Sequence, residues 1–164
     1  MTGSETVMRR ESPDIVAFRK LIHQRRGGPN PHLKLLGLGT LETLKLLEKV
    51  EAGFSYKALE RFQRNIDLSM EELATLVQIA PRTLLRRKAQ GRLSTEESDR
   101  LLRASRVFGK TLALFEGDTA AARSWFSTPA PALGGRTPRE AASTEVGARE
   151  VENLVGRLEH GVFS

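Results

Sequence analysis

Helix-capping boxes divide this chain of 164 residues into short helical segments. In a capping box a Ser or Thr precedes the helix and a Glu lies three residues later, so that each side chain binds a free backbone N–H of the first turn. The pattern occurs at Ser69–Glu72, Ser94–Glu97 and Thr137–Glu140. No segment alternates apolar and polar residues as a half-buried β-strand does. The sequence therefore predicts an all-α fold.

Two of the predicted helices are short and meet at a tight turn. The first begins after Ser69, and the second begins at Pro81 and ends at Gly91. Proline suits a first helical turn, because the N–H that it lacks would have no helical partner there. Only residues 78–80 separate the two helices. This arrangement is typical of a helix-turn-helix motif.

The second helix of this motif is rich in arginine. On a helical wheel, Leu84 and Leu85 point inward together, and the opposite face is polar. Arg and Gln side chains can reach phosphates and base edges in a major groove. A basic face can also be plain solvated surface, but the turn and the short preceding helix favour DNA binding. The predicted DNA-binding residues are Arg82, Thr83, Arg86, Arg87, Gln90 and Arg92.

Charge is unevenly distributed along the chain, whose formal net charge is +6. Residues 81–106 contain eight basic and three acidic residues, whereas residues 116–164 contain five basic and seven acidic ones. A basic block beside acidic segments suits a polyanionic partner such as DNA. The sequence leaves open whether Arg100, Arg103 and Arg106 contact phosphate or form ordinary surface.

The start of the chain differs from the rest. A cluster of Gly and Pro at 27–31 interrupts any helix, so residues 1–36 are predicted to form a flexible tail and linker. A short amphipathic helix over 15–22 is compatible with the pattern. Residues 37–112 form the predicted helix-turn-helix region, and residues 113–164 form a small helical C-terminal domain.

Apolar spacing predicts the buried faces of two further helices. In the helix that ends near Gly53, the predicted face is Leu41 and Leu44 with Leu47 or Val50. In the last helix, the predicted buried residues are Val146, Val151, Leu154, Val155 and Leu158.

Composition and motifs argue against several classes of function. The chain contains no Cys, which excludes disulfides, thiol catalysis and Cys-based zinc fingers. The histidines, His23, His32 and His160, lack the spacing of metal ligands. We therefore expect no catalytic residue, no cofactor and no metal site. The chain has no long apolar run and no signal-peptide core, so we expect a cytoplasmic protein without membrane contact.

From residue 53 onward the chain resembles antitoxins of the Xre/MbcA/ParS type. The resemblance rests on "RTLLRRKAQGRLSTEESDRL" (82–101) followed by "AARSWFSTPAPALGGRTPRE" (121–140) and the final helix. Ala130 departs from the pattern, because such proteins often have Asn there. The residues that match the second part are Pro129, Leu133, Gly135, Pro138, Gly147, Val151, Leu154, Glu159, His160 and Gly161.

The resemblance implies a partner and a mode of regulation. Such antitoxins pair with a RES-domain toxin, an enzyme that depletes NAD, and their C-terminal domain covers the entrance to its active site. Their helix-turn-helix binds the operator DNA of their own promoter and represses it. They form homo-oligomers, at least dimers, which present two DNA-binding units to a palindromic site.

Polar residues near the end of the chain are candidates for the toxin contact. They recur at or near helical spacing, and the last two residues of the set form an apolar anchor; the alternative is solvated surface. The predicted toxin-binding residues are Glu150, Asn153, Arg157, Glu159, His160, Val162 and Phe163. Two other functions stay open at this point. The chain could be a stand-alone transcriptional regulator with a C-terminal dimerisation domain, or a protein-binding module that has lost DNA binding.

Overall fold

The computed structural model describes residues 10–24 and 30–161. No β-strand occurs within these two ranges, although Ser55 and Arg92 form an isolated β-bridge. The predicted all-α fold is therefore confirmed. The α-helices are α1 (Pro13–His23), α2 (Thr43–Ala52), α3 (Tyr56–Ile66), α4 (Met70–Val77), α5 (Pro81–Gln90), α6 (Thr95–Leu114), α7 (Thr119–Phe126), α8 (Pro138–Ala141) and α9 (Glu145–Glu159), and 3-10 helices span Pro31–Leu36 and Pro131–Leu133.

The capping boxes begin three of these helices. At α6 and α8 both side chains of the box are bound to backbone N–H groups. At α4, the Ser69 hydroxyl accepts a hydrogen bond from the Glu72 backbone N–H at 3.1 Å. The Glu72 carboxylate, however, pairs with Arg139 of α8. Glu72 therefore links α4 to α8 instead of completing its box.

Helix α6 lies at the centre of the hydrophobic core, and other helices pack around it. Its residue Phe108 is buried and makes edge-to-face contacts with Phe62 of α3 and Phe126 of α7, with ring centroids 6.5 and 5.5 Å apart. The helix also packs against α2, α4, α9 and the first 3-10 helix. One helix of 20 residues therefore connects the helix-turn-helix region to the C-terminal helices.

The described part of residues 1–36 packs on this core. Ile15 and Phe18 of α1 are buried, and the first 3-10 helix packs against α1, α3 and α6. This part of the segment therefore differs from the predicted flexible tail, because its apolar residues find a surface to cover. The rest of the segment, residues 1–9 and 25–29, lies outside the described residues.

The buried face of α2 differs from the prediction. Leu46 and Val50 are buried, whereas Leu44 and Leu47 are 74% and 50% exposed. Helix α2 rests on α6, so only one narrow stripe of the short helix is covered. Leu47 lies beside that stripe and Leu44 lies on the opposite side of the helix, so both face solvent.

Helix α9 also has one misassigned residue. Val151, Leu154 and Val155 are buried as predicted, but Val146 is 75% exposed. Five residues of α-helix turn the side-chain direction by about 500°, so Val146 points about 140° away from Val151. Its wheel position therefore places it on the solvent face of α9.

His32, in the first 3-10 helix, is buried near charged residues of α6 and α9. Burial and the positive charges of Arg106 and Lys110 lower the pKa of its imidazole from 6.5 to about 4, although Glu152 acts in the opposite direction. The unfolded chain therefore accepts a proton at this residue at a higher pH than the folded protein does. We expect His32 alone to lower the free energy of unfolding by about 3 kcal/mol as pH falls from about 6.5 to about 4.

Urea denaturation at a series of pH values tests this expectation. In His32→Gln, the loss of stability between about pH 6.5 and 5 should disappear, because Gln does not titrate. Carboxylates such as Glu97 and Glu152, whose pKa values are lowered in the folded protein, lose their stabilising effect mainly as pH falls below about 4.5, the pKa of the unfolded chain, and therefore interfere little in this range. The same slope in the wild type and the variant would contradict the expectation.

Candidate functional site

Helices α4 and α5 form the predicted helix-turn-helix. Gln78 ends α4 in the left-handed conformation, with a φ of 55°, and reverses the chain direction. The backbone N–H of Ile79 donates to the carbonyl of Ala74 at 3.0 Å. The Ile79 side chain is buried under the turn, and Pro81 then begins α5. The hydrogen-bonded turn and the buried Ile79 side chain thus fix the orientation of α5 relative to α4.

Helix α5 buries less of its surface than the helical wheel predicts. Leu84 is buried, but Leu85 is 71% exposed, so the inward placement of Leu85 is wrong. The flanking residues Thr83 and Arg87 are half-buried instead. Helix α5 therefore contacts the protein along the side that runs from Thr83 through Leu84 to Arg87, and Leu85 falls on the outer face.

The outer face of α5 carries free positive charge. Arg82, Arg86 and Lys88 are exposed, and they make no hydrogen bond or ion pair with any other residue that the structure describes. Gln90 is also exposed, and its side-chain oxygen accepts a hydrogen bond from Arg87 at 2.9 Å. Unpaired guanidinium and ammonium groups on one helix face can bind phosphate without first breaking an internal contact.

Arg87 has a structural partner. Its Nε donates to the Glu97 carboxylate at 2.7 Å, and the same carboxylate oxygen accepts the Ser94 backbone N–H at 2.8 Å. Burial raises the pKa of Glu97, but these hydrogen bonds outweigh it, so the net pKa is lowered. Arg87 therefore fixes α5 against the capping box of α6, which positions the outer face of the helix.

Arg92 also binds the protein itself. Its Nη1 donates to the backbone carbonyls of Ala52 at 3.2 Å and Gly53 at 2.8 Å, which lie at the end of α2. A cation at a helix C-terminus is favourable, because the last carbonyls carry partial negative charge. Arg92 thus joins the end of α2 to the end of the helix-turn-helix.

Arg103 and Arg106 of α6 face α9. Arg103 donates to the Ser143 carbonyl at 3.2 Å, and Arg106 donates to the Glu152 carboxylate at 3.0 Å. Lys110 pairs with Glu152 as well. These cations therefore hold α9 on α6. They act neither as phosphate contacts nor as ordinary surface, which were the two alternatives that the sequence left open.

The solvent face of α9 contains four of the predicted toxin-binding residues. Glu150, Asn153, Arg157 and His160 follow one another at spacings of three or four residues, which places them on one side of the helix. Glu150, Asn153 and His160 are exposed, and Arg157 is half-buried. We call this side, together with Val146, the α9 face.

Three predicted residues do not belong to the α9 face. Glu159 is exposed but lies about 120° away from Asn153 around the helix. Val162 and Phe163 lie outside the described residues. Apolar spacing did not indicate Val146 as part of this face, although its rotation relative to Val151 follows from the helical period.

The described residues contain no group of His, Asp and Glu side chains that could hold a metal ion. None of the described helices is long and apolar enough to cross a bilayer. Two exposed helix faces, on α5 and α9, carry most of the residues predicted to bind DNA and toxin.

Comparison with known proteins identifies both halves of the chain. Residues 45–106 match the family described as the antitoxin Xre-like helix-turn-helix domain, and residues 111–161 match the antitoxin Xre/MbcA/ParS C-terminal toxin-binding domain. Antitoxin Xre of Yersinia enterocolitica is 38% identical over 130 residues, which cover 79% of this chain and 88% of the relative. The chain belongs to the Xre/MbcA/ParS antitoxin family.

Two further relatives agree with this membership. Antitoxin Xre of Photorhabdus laumondii is 30% identical over 136 residues, covering 82% of the chain and 92% of the relative. Antitoxin Xre of Pseudomonas putida is 34% identical over 69 residues, covering 42% and 43%. In this antitoxin, α5 lies in the matched helix-turn-helix domain and α9 lies in the matched toxin-binding domain. Membership therefore indicates an antitoxin that binds DNA and has a toxin as its partner.

Proposed function

We propose that this antitoxin neutralises a cognate RES-domain toxin, an NAD-depleting enzyme, by covering its active site, and that its helix-turn-helix represses its own operon. The observation that carries the proposal is the α9 face, an exposed helix face within the segment that matches a toxin-binding domain. We also propose that the protein is cytoplasmic, forms at least a dimer and catalyses no reaction itself.

The chemistry of the α9 face suits such a target. A site that binds NAD has to attract a dinucleotide with two negative charges, so we expect it to be cationic. Glu150 supplies a carboxylate that can occupy such a site. Val146 supplies an exposed apolar contact at the start of the same face, and burial of such a side chain at the centre of an interface contributes to affinity. Glu159, Val162 and Phe163 remain proposed contacts beyond this face.

The DNA-binding half of the proposal rests on α5. We propose that Arg82, Arg86 and Gln90 face the operator, that the half-buried Thr83 contacts it from the edge of this face, and that Arg87 and Arg92 act by positioning the helix. A dimer would present two copies of α5 to the half-sites of a palindrome. The proposed boundary between residues 37–112 and 113–164 falls in the last turn of α6, so the two domains share that helix.

The toxin can be identified by purifying the tagged antitoxin from its native locus and weighing the eluate by native mass spectrometry. The proposal predicts a stoichiometric complex with a RES-domain protein encoded beside it. A retained neighbour of another family would remove the RES assignment while keeping the antitoxin function. A lone oligomer, with the neighbour expressed but not retained, would point to a stand-alone regulator.

Val146→Lys is expected to weaken toxin binding by about 30-fold or more, because it removes the apolar contact and places a positive charge against a site that we expect to be cationic. Isothermal titration calorimetry with the purified toxin measures the effect. Leu44→Lys on α2 is the matched control, because Leu44 is equally exposed but lies on another helix. Unchanged binding in Val146→Lys, or an equal loss in Leu44→Lys, would contradict the assignment of the α9 face.

A further inference from the structure

The outer face of α5 combines apolar side chains with arginines. Arg82, Leu85, Arg86 and Ala89 recur at positions i, i+3, i+4 and i+7, which form one stripe along an α-helix. All four are exposed, and Leu85 is 71% exposed. We call these four residues the outer stripe.

The outer stripe thus places apolar area between two cations. Removing exposed apolar area from water is favourable, so a partner that is anionic and has apolar groups within reach would match Leu85 and the two arginines together. Between Pro81 and Thr95 the sequence has no acidic residue, so nothing on this part of the chain repels a polyanion.

The major groove of DNA has this combination of properties. Phosphates line its edges, guanine presents acceptors to Arg, and thymine presents a C5-methyl group to apolar side chains. The outer stripe spans eight residues, whose seven steps of 1.5 Å give about 10.5 Å of helix axis, which corresponds to about three base pairs. Leu85 and Ala89 can therefore lie over neighbouring bases while the arginines bind on either side.

We propose that Leu85, supported by Ala89, reads thymine C5-methyl groups in the DNA site of this antitoxin. The inference rests on the proposed DNA binding by α5 and adds to it the residues that select thymine. Arg82 and Arg86 then supply the electrostatic attraction and contacts to phosphate or guanine.

Thymine-to-deoxyuridine substitution tests the inference, because it removes only the methyl group. The probe is a duplex that the wild-type protein selects from a randomised library, with each thymine replaced in turn. We expect one thymine in each half-site to weaken wild-type binding about fourfold when replaced, as for the loss of one buried methyl group. Fluorescence anisotropy measures the dissociation constants.

Leu85→Ala should bind the thymine duplex more weakly and should lose the discrimination between thymine and deoxyuridine. Its thermal unfolding should match the wild type, since the side chain is exposed. Arg86→Ala is the matched control on the same stripe. It should weaken binding to both duplexes and keep the fourfold ratio, since it removes a charge and not the methyl contact.

Each alternative result has a distinct meaning. If the wild type selects no duplex, the proposed DNA binding fails and this inference fails with it. If the wild type binds DNA but discriminates at no thymine, or if Leu85→Ala keeps the wild-type ratio, only this inference is overturned. Loss of self-association or toxin binding in Leu85→Ala, with the thymine ratio intact, would assign the side chain to a protein interface.

Discussion

Replacement of both Arg82 and Arg86 by alanine is expected to weaken specific DNA binding by about 100-fold or more at physiological salt, with toxin binding unchanged. Each Arg contact to a base or phosphate contributes about 1–3 kcal/mol, so the loss of both contacts is expected to cost about 3 kcal/mol or more. Both side chains are exposed and make no hydrogen bond or ion pair with another described residue, so their removal costs the fold nothing. Binding should be measured by anisotropy over a range of salt, where the slope of log K against log salt should become shallower.

The double variant leaves out Arg87, because Arg87 has a structural partner. Arg87→Ala leaves the buried Glu97 without its cation and should lower thermal stability. A double variant that includes Arg87 would therefore not distinguish a loss of folding from a loss of DNA recognition. Lys45→Ala with Lys49→Ala on α2 removes the same charge from exposed positions elsewhere. Equal weakening by the lysine pair would show that net charge, and not α5, carries the binding. Loss of toxin binding in the arginine pair would contradict the separation of the two surfaces.

Gly147→Ala is expected to destabilise the protein by about 2–3 kcal/mol and to lower its melting temperature by about 5–10 °C. A Cβ at Gly147 would lie 1.8 Å from the carbonyl oxygen of Ala141 and 2.7 Å from its carbonyl carbon. Both are backbone atoms of α8, so they cannot move aside as a flexible side chain could. The first turn of α9 must shift away from α8, and the α9 face shifts with it.

Gly156→Ala in the same helix is the matched control. No atom lies within 4 Å of a Cβ built at Gly156, and Ala is favoured over Gly in a helix by about 1 kcal/mol. The two substitutions should therefore change the melting temperature in opposite directions. Thermal unfolding followed by circular dichroism measures both. A stabilised Gly147→Ala would show that α8 and α9 are not held as closely as the structure indicates.

Gly147→Ala should also weaken toxin binding while DNA binding is retained, because α5 lies at the other end of α6. This result would show that toxin binding depends on the packing beneath the α9 face and that DNA binding does not. Equal losses of toxin and DNA binding at a temperature where the variant is folded would indicate that the disturbance reaches the helix-turn-helix, through α6 or through the Glu72–Arg139 pair that links α4 to α8.

Local signals in the sequence account for much of the fold. The capping residues at Ser94 and Thr137 and the proline at Pro81 act within one helical turn, so they are readable without tertiary information. The tight turn at residues 78–80 is local in the same sense. The helix-turn-helix and the all-α fold could therefore be predicted, and the order of the motifs carried the family resemblance.

The roles of individual arginines could not be predicted in the same way. Arg87 bonds to a residue ten positions away, and Arg92 bonds to a carbonyl 39 positions away. In the sequence, these side chains are indistinguishable from Arg82 and Arg86, which have no partner among the residues that the structure describes. Only the packing of α2 and α6 beside α5 divides the set into side chains that position the helix and side chains that remain available to DNA.

The sequence by itself determined where helices begin and end, because caps, prolines and turn residues act through neighbouring backbone groups. Only the tertiary structure decided which face of each helix is covered, as Leu85 of α5 and Val146 of α9 demonstrate. The reason is physical: periodicity defines a stripe of apolar side chains, but burial depends on where a second helix lies. Two of the exposed apolar residues that periodicity had placed inward, Leu85 and Val146, lie on the proposed contact surfaces, whereas Leu44 and Leu47 of α2 do not.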